Sequence, residues 1–472
     1  MKRKTLLLAG TIILASAGGL TSCGGSQKIT VWVGEESAEF YQKKCDEFLE
    51  NNTDFGYTIE VKGVDTGSVA GTVMQDASAA ADIYTVAHDN IGKLAAKQCA
   101  KPITDTTLIS QIDSDNPQSF KNVIYSTLNG KSYLYGAPYI SQALFLYYNK
   151  DLVTDEQAKS FEGLTEAANE AGNKGWTVTG TDGYNFSYTL LATKVSDHST
   201  TVKIYEGATP DGSTKGTSYV QGDDQVALVR YTQRAIKNAN GFKWASSDGW
   251  DADLRNKGVC AVIGGAWHYN AAKAAVGETK LGMALIPTMT LTTADCEGLS
   301  SVKAGDVYRG GTFADCKCFL INAKSDTSKY AAEQTLIKYL TSKNVQNESF
   351  KECLNVPAYS GSSEYIKSLY ESKGITENQY LLASCQTAMA DWGIPQPFIT
   401  GSLNTYFYSK NAPDVLKAMI DGTAYPTTGD KIITETETLD GIRKGLYMME
   451  YIWNRGSNPS SFPETLPSQI SK

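Results

Sequence analysis

Charged, amide and aromatic side chains directly follow three predicted strands of the sequence. They are Glu35, Glu36, Asp89, Asn90 and Trp267. Carboxylate and amide groups exchange hydrogen bonds with hydroxyls, and an indole combines a flat apolar face with one N–H donor. This combination is typical of a pocket for a ligand that is polar at its edges and apolar on its faces.

Residue types for catalysis or metal binding are sparse. The three histidines, His88, His198 and His268, are scattered along the chain. Cys316 and Cys318 would share one face of a strand but lack the second cysteine pair that a structural zinc site uses. The chain contains neither a phosphate-binding glycine loop followed by Lys-Ser/Thr nor the surroundings of a serine nucleophile. We therefore expect no metal site, no cofactor and no catalytic residue.

The sequence leaves open whether the chain is an exported enzyme or a protein that binds a ligand without converting it. With 51 acidic residues in the chain, a candidate pair of carboxylates for an exported glycoside hydrolase is always available. A binding protein could also take a polyamine, a peptide or a metal ion as its ligand. A polyamine site would use acidic and aromatic groups, so Glu35, Glu36 and Asp89 do not exclude it.

Short apolar strands alternate with helices and would position these side chains. The predicted strands are 29–33, 57–61, 82–86, 144–148, 259–263, 281–286 and 318–321. Ser37 is expected to cap the first helix, and a late helix carries Leu336 and Leu340 on one face. The alternation predicts an α/β fold with mostly parallel sheets, in which ligands bind beyond the carboxyl ends of the strands. The polar stretch 194–224 predicts surface loops or a hairpin insertion.

The first 22 residues have the features of a secretion signal. Residues 1–4 are basic, residues 6–17 are apolar, and small residues lead to Cys23. The apolar run is shorter than the roughly 20 residues that span a bilayer. Residues 20–23 resemble a bacterial lipobox, which implies cleavage before Cys23 and a lipid on its sulfur. Residues 23–28 would form the lipidated tether, at a cell surface that the resemblance suggests is Gram-positive.

Composition favours a two-domain chain and argues against some partners. The 450 residues from Cys23 to Lys472 exceed what one hydrophobic core usually serves. The formal charge is −8 and no basic stripe is present, so we expect no nucleic acid partner. The chain contains 27 Tyr and 7 Trp, residues suited to amphipathic ligands. Eight cysteines remain besides Cys23, and the sequence leaves open whether they form disulfides or stay as buried thiols.

The order and spacing of several segments resemble the maltose-binding-protein branch of the bacterial extracellular solute-binding proteins (family 1). The segments are 29–51, 81–89, 129–151, 257–267, 281–288 and 394–396. The resemblance implies the ligand-binding subunit of an ABC sugar importer, a monomer that delivers an oligosaccharide to permease subunits. It also implies a two-lobe α/β fold of the type II periplasmic-binding-protein class, with the ligand in the cleft and hinge closure. Lobe 1 would comprise 29–141 plus 285–355, and lobe 2 would comprise 142–284 plus 356–472.

The resemblance also assigns roles to acidic and amide residues. Glu35 falls on an acidic sugar-binding position, and Glu36 falls on a neighbouring position that is basic in the family. Asp89 matches an acceptor for sugar hydroxyls. Asn90 stands where the family has arginine, and Gln142 stands where it has glutamate. These departures put maltose itself in doubt but keep the design of a sugar site.

The aromatic residues match the aromatic positions of the family less consistently. Trp267 matches a tryptophan that stacks on a sugar ring, with packing between the lobes as its alternative role. Tyr184 is the nearest match to a ligand tyrosine. Trp392, Phe398 and Tyr408 compete for a further aromatic platform, and we expect Trp392 and Tyr408 to contact the ligand. Val86 replaces another stacking tryptophan of the family.

Overall fold

The computed structural model describes residues 27–128, 131–186, 188–206, 215–218, 222–396, 411–426, 432–433 and 435–455. The predicted signal segment, Cys23, Phe398 and Tyr408 lie outside the described residues. None of the described helices combines the length and apolar character needed to cross a bilayer. All eight cysteines from Cys45 to Cys385 are free thiols.

Strands and helices alternate through the described residues. The strands are β1 Gln27–Gly34, β2 Tyr57–Val64, β3 Ile83–Ala87, β4 Ala100–Lys101, β5 Tyr125–Leu128, β6 Lys131–Leu134, β7 Ala137–Gln142, β8 Leu144–Asn149, β9 Lys174–Val178, β10 Thr193–Lys194, β11 Lys203–Glu206, β12 Lys215–Ser218, β13 Val259–Gly265, β14 Leu281–Ala284, β15 Thr288–Thr290, β16 Val307–Arg309, β17 Phe313–Asn322, β18 Ile394–Pro395, β19 Tyr425–Pro426 and β20 Ile432–Ile433. The helices are α1 Ala38–Asn51, α2 Thr66–Gln75, α3 Ile91–Ala96, α4 Thr106–Asp115, α5 Gln118–Lys121, α6 Phe161–Ala171, α7 Asp223–Lys237, α8 Trp250–Arg255, α9 Tyr269–Val276, α10 Tyr330–Leu340, α11 Lys343–Cys353, α12 Ser362–Glu371, α13 Glu377–Trp392, α14 Asn411–Asp421 and α15 Leu439–Arg455. Short 3-10 turns follow β1 at Glu35–Ser37, β3 at His88–Asn90 and β13 at Ala266–His268.

Two main sheets organise the chain, and both are mixed. The first has the order β18-β17-β3-β1-β2, with β4 and β7 also paired to β17, and the second has the order β14-β8-β13-β9. β1 runs parallel to β2 and β3, whereas β17 is antiparallel to β3 and β7. In the second sheet β13 is parallel to β9 but antiparallel to β8. The prediction of mostly parallel sheets was therefore wrong. A helix crossover between two strands makes them parallel, but strands that pass from one lobe to the other are not joined in this way, and several of them run antiparallel to their neighbours.

Each main sheet has its own hydrophobic core. Val31, Leu94 and Phe319 belong to the first core, and Leu146 and Ile263 belong to the second. Two separate cores are what a chain of this length needs, because a single core rarely serves so many residues. This division agrees with the predicted two-lobe α/β fold.

The chain passes between the cores at a few places. Ile140 packs in the first core and Leu144 in the second, so one passage lies at the β7–β8 junction. Within β17, Phe313 packs in the second core and Cys316 in the first. The predicted boundary at residue 285 assigned the following segment to lobe 1, but Ile286, Met289 and Tyr308 pack in the second core. We propose that this segment belongs to lobe 2 and that the chain returns to lobe 1 inside β17.

Two local predictions have different outcomes. Ser37 occupies the N-cap position of α1, but its side chain makes no cap hydrogen bond. Its Oγ instead accepts a hydrogen bond from Asn355 Nδ2 at 3.0 Å, so the residue was wrongly predicted to cap the helix. The hairpin predicted within 194–224 is confirmed in the described residues, where β11 and β12 pair antiparallel.

Candidate ligand-binding cleft

A cleft of about 1470 Å³ lies where the ends of the two sheets meet. Six of the predicted contacts line it: Glu36, Asp89, Asn90, Gln142, Tyr184 and Trp267. Four of them stand in the turns that end β1, β3 and β13, as the strand-exit argument predicts. The sequence thus brings these side chains to one cavity, and their contact with a ligand stays a prediction.

Three predicted contacts do not join this group. Glu35 is exposed and does not line the cleft, because neighbouring residues of the same 3-10 turn point in different directions. Trp392 is also outside the lining: its ring stacks on His198 at 4.1 Å, and the Arg309 guanidinium lies 5.2 Å from the ring centre. Its contact with a ligand stays a prediction. Tyr408 lies outside the described residues.

Trp267 forms the aromatic wall of the cleft. It is 45% exposed, an unusual value for so large an apolar side chain. The indole lies over Gly265, where an added Cβ would stand 2.2 Å from the ring. Tyr184 is next to it, with ring centres 6.1 Å apart, and Tyr184 stacks in turn on Phe313 of β17. Glycine at the strand end therefore gives the indole a flat backbone surface to lie on.

Asp89 and Asn90 form the polar edge at the end of β3. Asn90 Nδ2 donates to Asp89 Oδ1 at 2.7 Å and to the carbonyl oxygen of Ala87 at 3.2 Å. These bonds orient the Asp89 carboxylate at the cleft wall. Burial raises the pKa of Asp89, while His88 and Lys93 oppose that rise.

Strand β17 adds two charged residues that the sequence interpretation missed. Asp315 and Lys317 line the cleft, and Asp315 is opposite Gln142 in the pairing of β17 with β7. Cys316 and Cys318, on the other face of the strand, are fully buried. The alternation of charged and apolar residues along 315–318 was the available signal, because successive side chains of a strand point to opposite faces.

The Asp315 carboxyl is almost completely buried, with 3% of the residue exposed. Burial raises its pKa to about 7, Asp89 adds to the rise, and His88 and a hydrogen bond with Tyr184 oppose it. His88 Nδ1 lies 3.6 Å from Asp315 Oδ1. His88 Nε2 donates to the Gln396 carbonyl oxygen at 2.7 Å, and Nδ1 accepts from Cys316 N at 3.3 Å, so the imidazole fastens β17 to the end of β3.

Lys317 supplies a cation on the same face of β17. Its Nζ donates to Thr66 Oγ1 at 3.3 Å. Burial lowers its pKa, and the nearby carboxylates of Glu36 and Asp65 oppose this. The cleft therefore combines carboxylates, amides, an ammonium group and an indole, which together recognise many hydroxyls and an apolar ring face.

Further residues connect the passages between the lobes at the cleft floor. Ser141 N donates to the Val356 carbonyl oxygen at 2.8 Å, and the Ser141 carbonyl oxygen accepts from Gln386 Nε2 of α13. Leu354 has a φ of 60°, a left-handed conformation that is costly for a residue with a branched side chain. The hydrogen bonds of Ser141 therefore place α13 and the segment after α11 against the passage at the β7–β8 junction.

Comparisons with known proteins agree with this arrangement. A family model described as bacterial extracellular solute-binding protein matches residues 43–375. The maltodextrin-binding protein MdxE of Bacillus subtilis (strain 168) is 27% identical over an alignment of 301 residues, and the match covers 60% of this chain and 66% of that protein.

Solved structures share the fold at lower identity. The maltodextrin-binding protein MalE1 from L. casei BL23, without ligand, has a TM-score of 0.67 at 17% identity and covers 92% of this chain and 100% of its own. MalX from Streptococcus pneumoniae, in complex with maltopentaose, has a TM-score of 0.62 at 19% identity and covers 89% and 99%. The two-lobe, maltose-binding-protein-like fold is thereby confirmed.

Proposed function

Because this chain belongs to the bacterial extracellular solute-binding proteins, we propose that it captures an oligosaccharide in the cleft and delivers it to an ABC importer. A maltodextrin-type chain is the first candidate, since the Bacillus subtilis relative is a maltodextrin-binding protein. Matched structures were also solved with maltotetraose and maltopentaose. The matching family and relatives are binding proteins rather than enzymes.

The observation that carries the proposal is the half-exposed indole of Trp267 beside carboxylates and amides. A pyranose ring has apolar C–H faces and a rim of hydroxyls. The indole would cover one face, while Asp89, Asn90, Gln142 and Glu36 would take the hydroxyls. Tyr184 would extend the aromatic wall to a second ring, which favours an oligosaccharide over a monosaccharide.

A panel of ligands tests the proposal. Maltose, longer maltodextrins, acarbose, spermidine and a short peptide are each added to the purified mature chain, and thermal unfolding and calorimetry are recorded. A ligand at 100 times its Kd stabilises the native state by about 2.7 kcal/mol. We expect this effect from the oligosaccharides, which should be recovered intact. Stabilisation by spermidine or the peptide instead, or cleavage of the sugar, would contradict the proposal.

We also propose a location, from the family and from the lipobox-like residues before Cys23. The family is extracellular, and a lipid on Cys23 would hold the protein at the outer face of the cell membrane. Replacing Cys23 with Ala is expected to move the protein from the membrane fraction to the medium. A Cys23→Ala protein that still sediments with membranes after a salt wash would exclude this anchor.

A further inference from the structure

A second, smaller cavity of about 360 Å³ lies between α2 and α3. It shares Gly67 and Asn90 with the main cleft, so the two spaces adjoin. The remaining lining residues come from the length of α2 and from α3: Ser68, Ala70, Gly71, Thr72, Met74, Gln75 and Lys93. At about 30 Å³ for each water molecule in the liquid, the cavity has room for a substituent of a sugar as well as solvent.

Lys93 is the one charged residue in this lining, and it is buried, with 6% of its surface exposed. Among the described residues, its side chain makes no hydrogen bond and its Nζ has no carboxylate within 4.0 Å, although the charge of Asp89 acts on it from farther away. Burial lowers the pKa of Lys93, and Asp89 only partly opposes this. The Lys93 Nζ is not among the polar atoms sealed from solvent without a partner, so the ammonium faces the cavity and is hydrated there. An anion in the cavity would replace that water with an opposite charge in a partly desolvated place, where such a pair is stronger than in bulk water.

Lys44 shows what a structural lysine of similar burial has in this protein. Lys44 is 4% exposed, and its Nζ lies 2.7 Å from Glu47 and also contacts Glu348. Its charge is therefore satisfied within the fold. Lys93 instead lines a cavity whose other polar groups are hydroxyls and amides. The difference between these two buried lysines leaves the Lys93 ammonium, within the described part of the chain, available to a group of a bound ligand.

We propose that the cavity around Lys93 is a subsite for an anionic substituent of an oligosaccharide whose neutral rings occupy the main cleft. A carboxylate, sulfate or phosphate would form a charge-assisted hydrogen bond with the ammonium. Ser68, Thr72 and Gln75 provide hydroxyl and amide groups around it. The inference rests on the proposed sugar-binding function, which it extends from neutral to acidic sugars.

Paired ligands test the subsite. Maltotriose is compared by calorimetry with two acidic counterparts, one oxidised to the uronate at its terminal C6 and one phosphorylated at that position. Hydrogen bonds to charged groups contribute roughly 1.5 to 3 kcal/mol, so the wild type should bind an acidic form about ten to a hundred times more tightly. The uronate and phosphate arms show which anion the cavity prefers.

Two lysines of the same region give a matched pair of variants. Lys93→Met should abolish the preference for the acidic sugar and leave the affinity for maltotriose unchanged. Lys97→Met, four residues along and exposed, should retain the preference. Because Lys93→Met removes a largely buried charge that has no ion pair among the described residues, its unfolding midpoint should be no lower than that of the wild type.

The outcomes separate the two proposals. If neither neutral nor acidic sugars bind, the proposed function itself fails. If maltotriose binds but the wild type shows no preference for either acidic form, the subsite is excluded without any variant. A preference that persists in Lys93→Met also overturns it, since the anion would then be held elsewhere.

Discussion

Individual side chains in the cleft differ in how completely other groups of the protein already bind or cover them. Asp89 is held by Asn90, and Asp315 interacts with His88 and Tyr184. Trp267, in contrast, leaves 45% of its surface uncovered. The carboxylates are thus oriented before a ligand arrives, which reduces the entropy lost on binding, and the indole provides the apolar area that a ligand would cover.

Replacing Trp267 with Ala should weaken oligosaccharide binding about thirtyfold, because roughly 2 kcal/mol of apolar contact is lost. Trp267→Phe should lose less, since an aromatic face remains. Calorimetry measures the affinity, and a denaturant midpoint measures the stability of the same variants. The fold should persist in both. If Trp267→Ala binds sugar normally but unfolds much more easily, the residue packs the fold and does not contact the ligand.

Asp315 is expected to make the free energy of unfolding depend on pH. Its pKa of about 7 in the folded state lies above the unfolded value near 3.9, so the folded protein binds more protons between these values and loses stability as pH rises. Asp315→Asn should reduce this decline by up to about 1.4 kcal/mol per pH unit. Urea unfolding from pH 4 to 8 measures the slopes. Equal slopes for wild type and variant would show that Asp315 does not retain its proton at neutral pH.

At the scale of secondary structure elements, the ends of strands determine the site. β1, β3 and β13 each end in a 3-10 turn, and each turn contributes a lining residue to the cleft. β17 contributes from its middle, because it runs along the cleft floor while passing between the cores. The turns therefore supply the side chains that would bind a ligand, and β17 fixes the distance between these turns.

The end of β13 permits a test of this positioning. A Cβ at Gly265 would collide with the indole of Trp267, while its φ of −98° is open to any residue. Gly265→Ala should therefore displace the indole and weaken sugar binding about tenfold, with little loss of stability. In a Trp267→Ala background the same change should have no further effect. An equal loss in both backgrounds would mean that Gly265 acts without the indole.

At the scale of the whole molecule, two cores joined by a few strands make a hinged body. The passages at β7–β8 and within β17 are short, and each core is close-packed, so bending is expected to concentrate at the passages. The left-handed Leu354 beside the hinge is a further point where backbone conformation can change.

Ligand binding should therefore bring the lobes together. Small-angle scattering should show a smaller radius of gyration with saturating oligosaccharide than without it. Trp267→Ala at the same sugar concentration should remain in the open form, which serves as the control. Tight binding without compaction would contradict closure of the lobes.

The sequence alone predicted the local elements and the family. The segments 29–33, 57–61 and 259–263 lie within observed strands, and 82–86 overlaps β3 in all but its first residue, because strand periodicity and the residues that end a strand are local properties. The turn residues Glu36, Asp89 and Trp267 were predictable for the same reason, since the exit of a strand locates the cleft.

Tertiary structure decided what depends on contacts between distant residues. The direction of β17, the place of Ile286 to Tyr308 in the second core and the position of Trp392 beside His198 all depend on partners far along the chain. Nothing in the sequence indicated Lys93 as a candidate, because only the folded placement of α2 and α3 around one cavity shows that this lysine is largely buried there. Local patterns determine which elements form, and long-range packing determines which of their side chains meet.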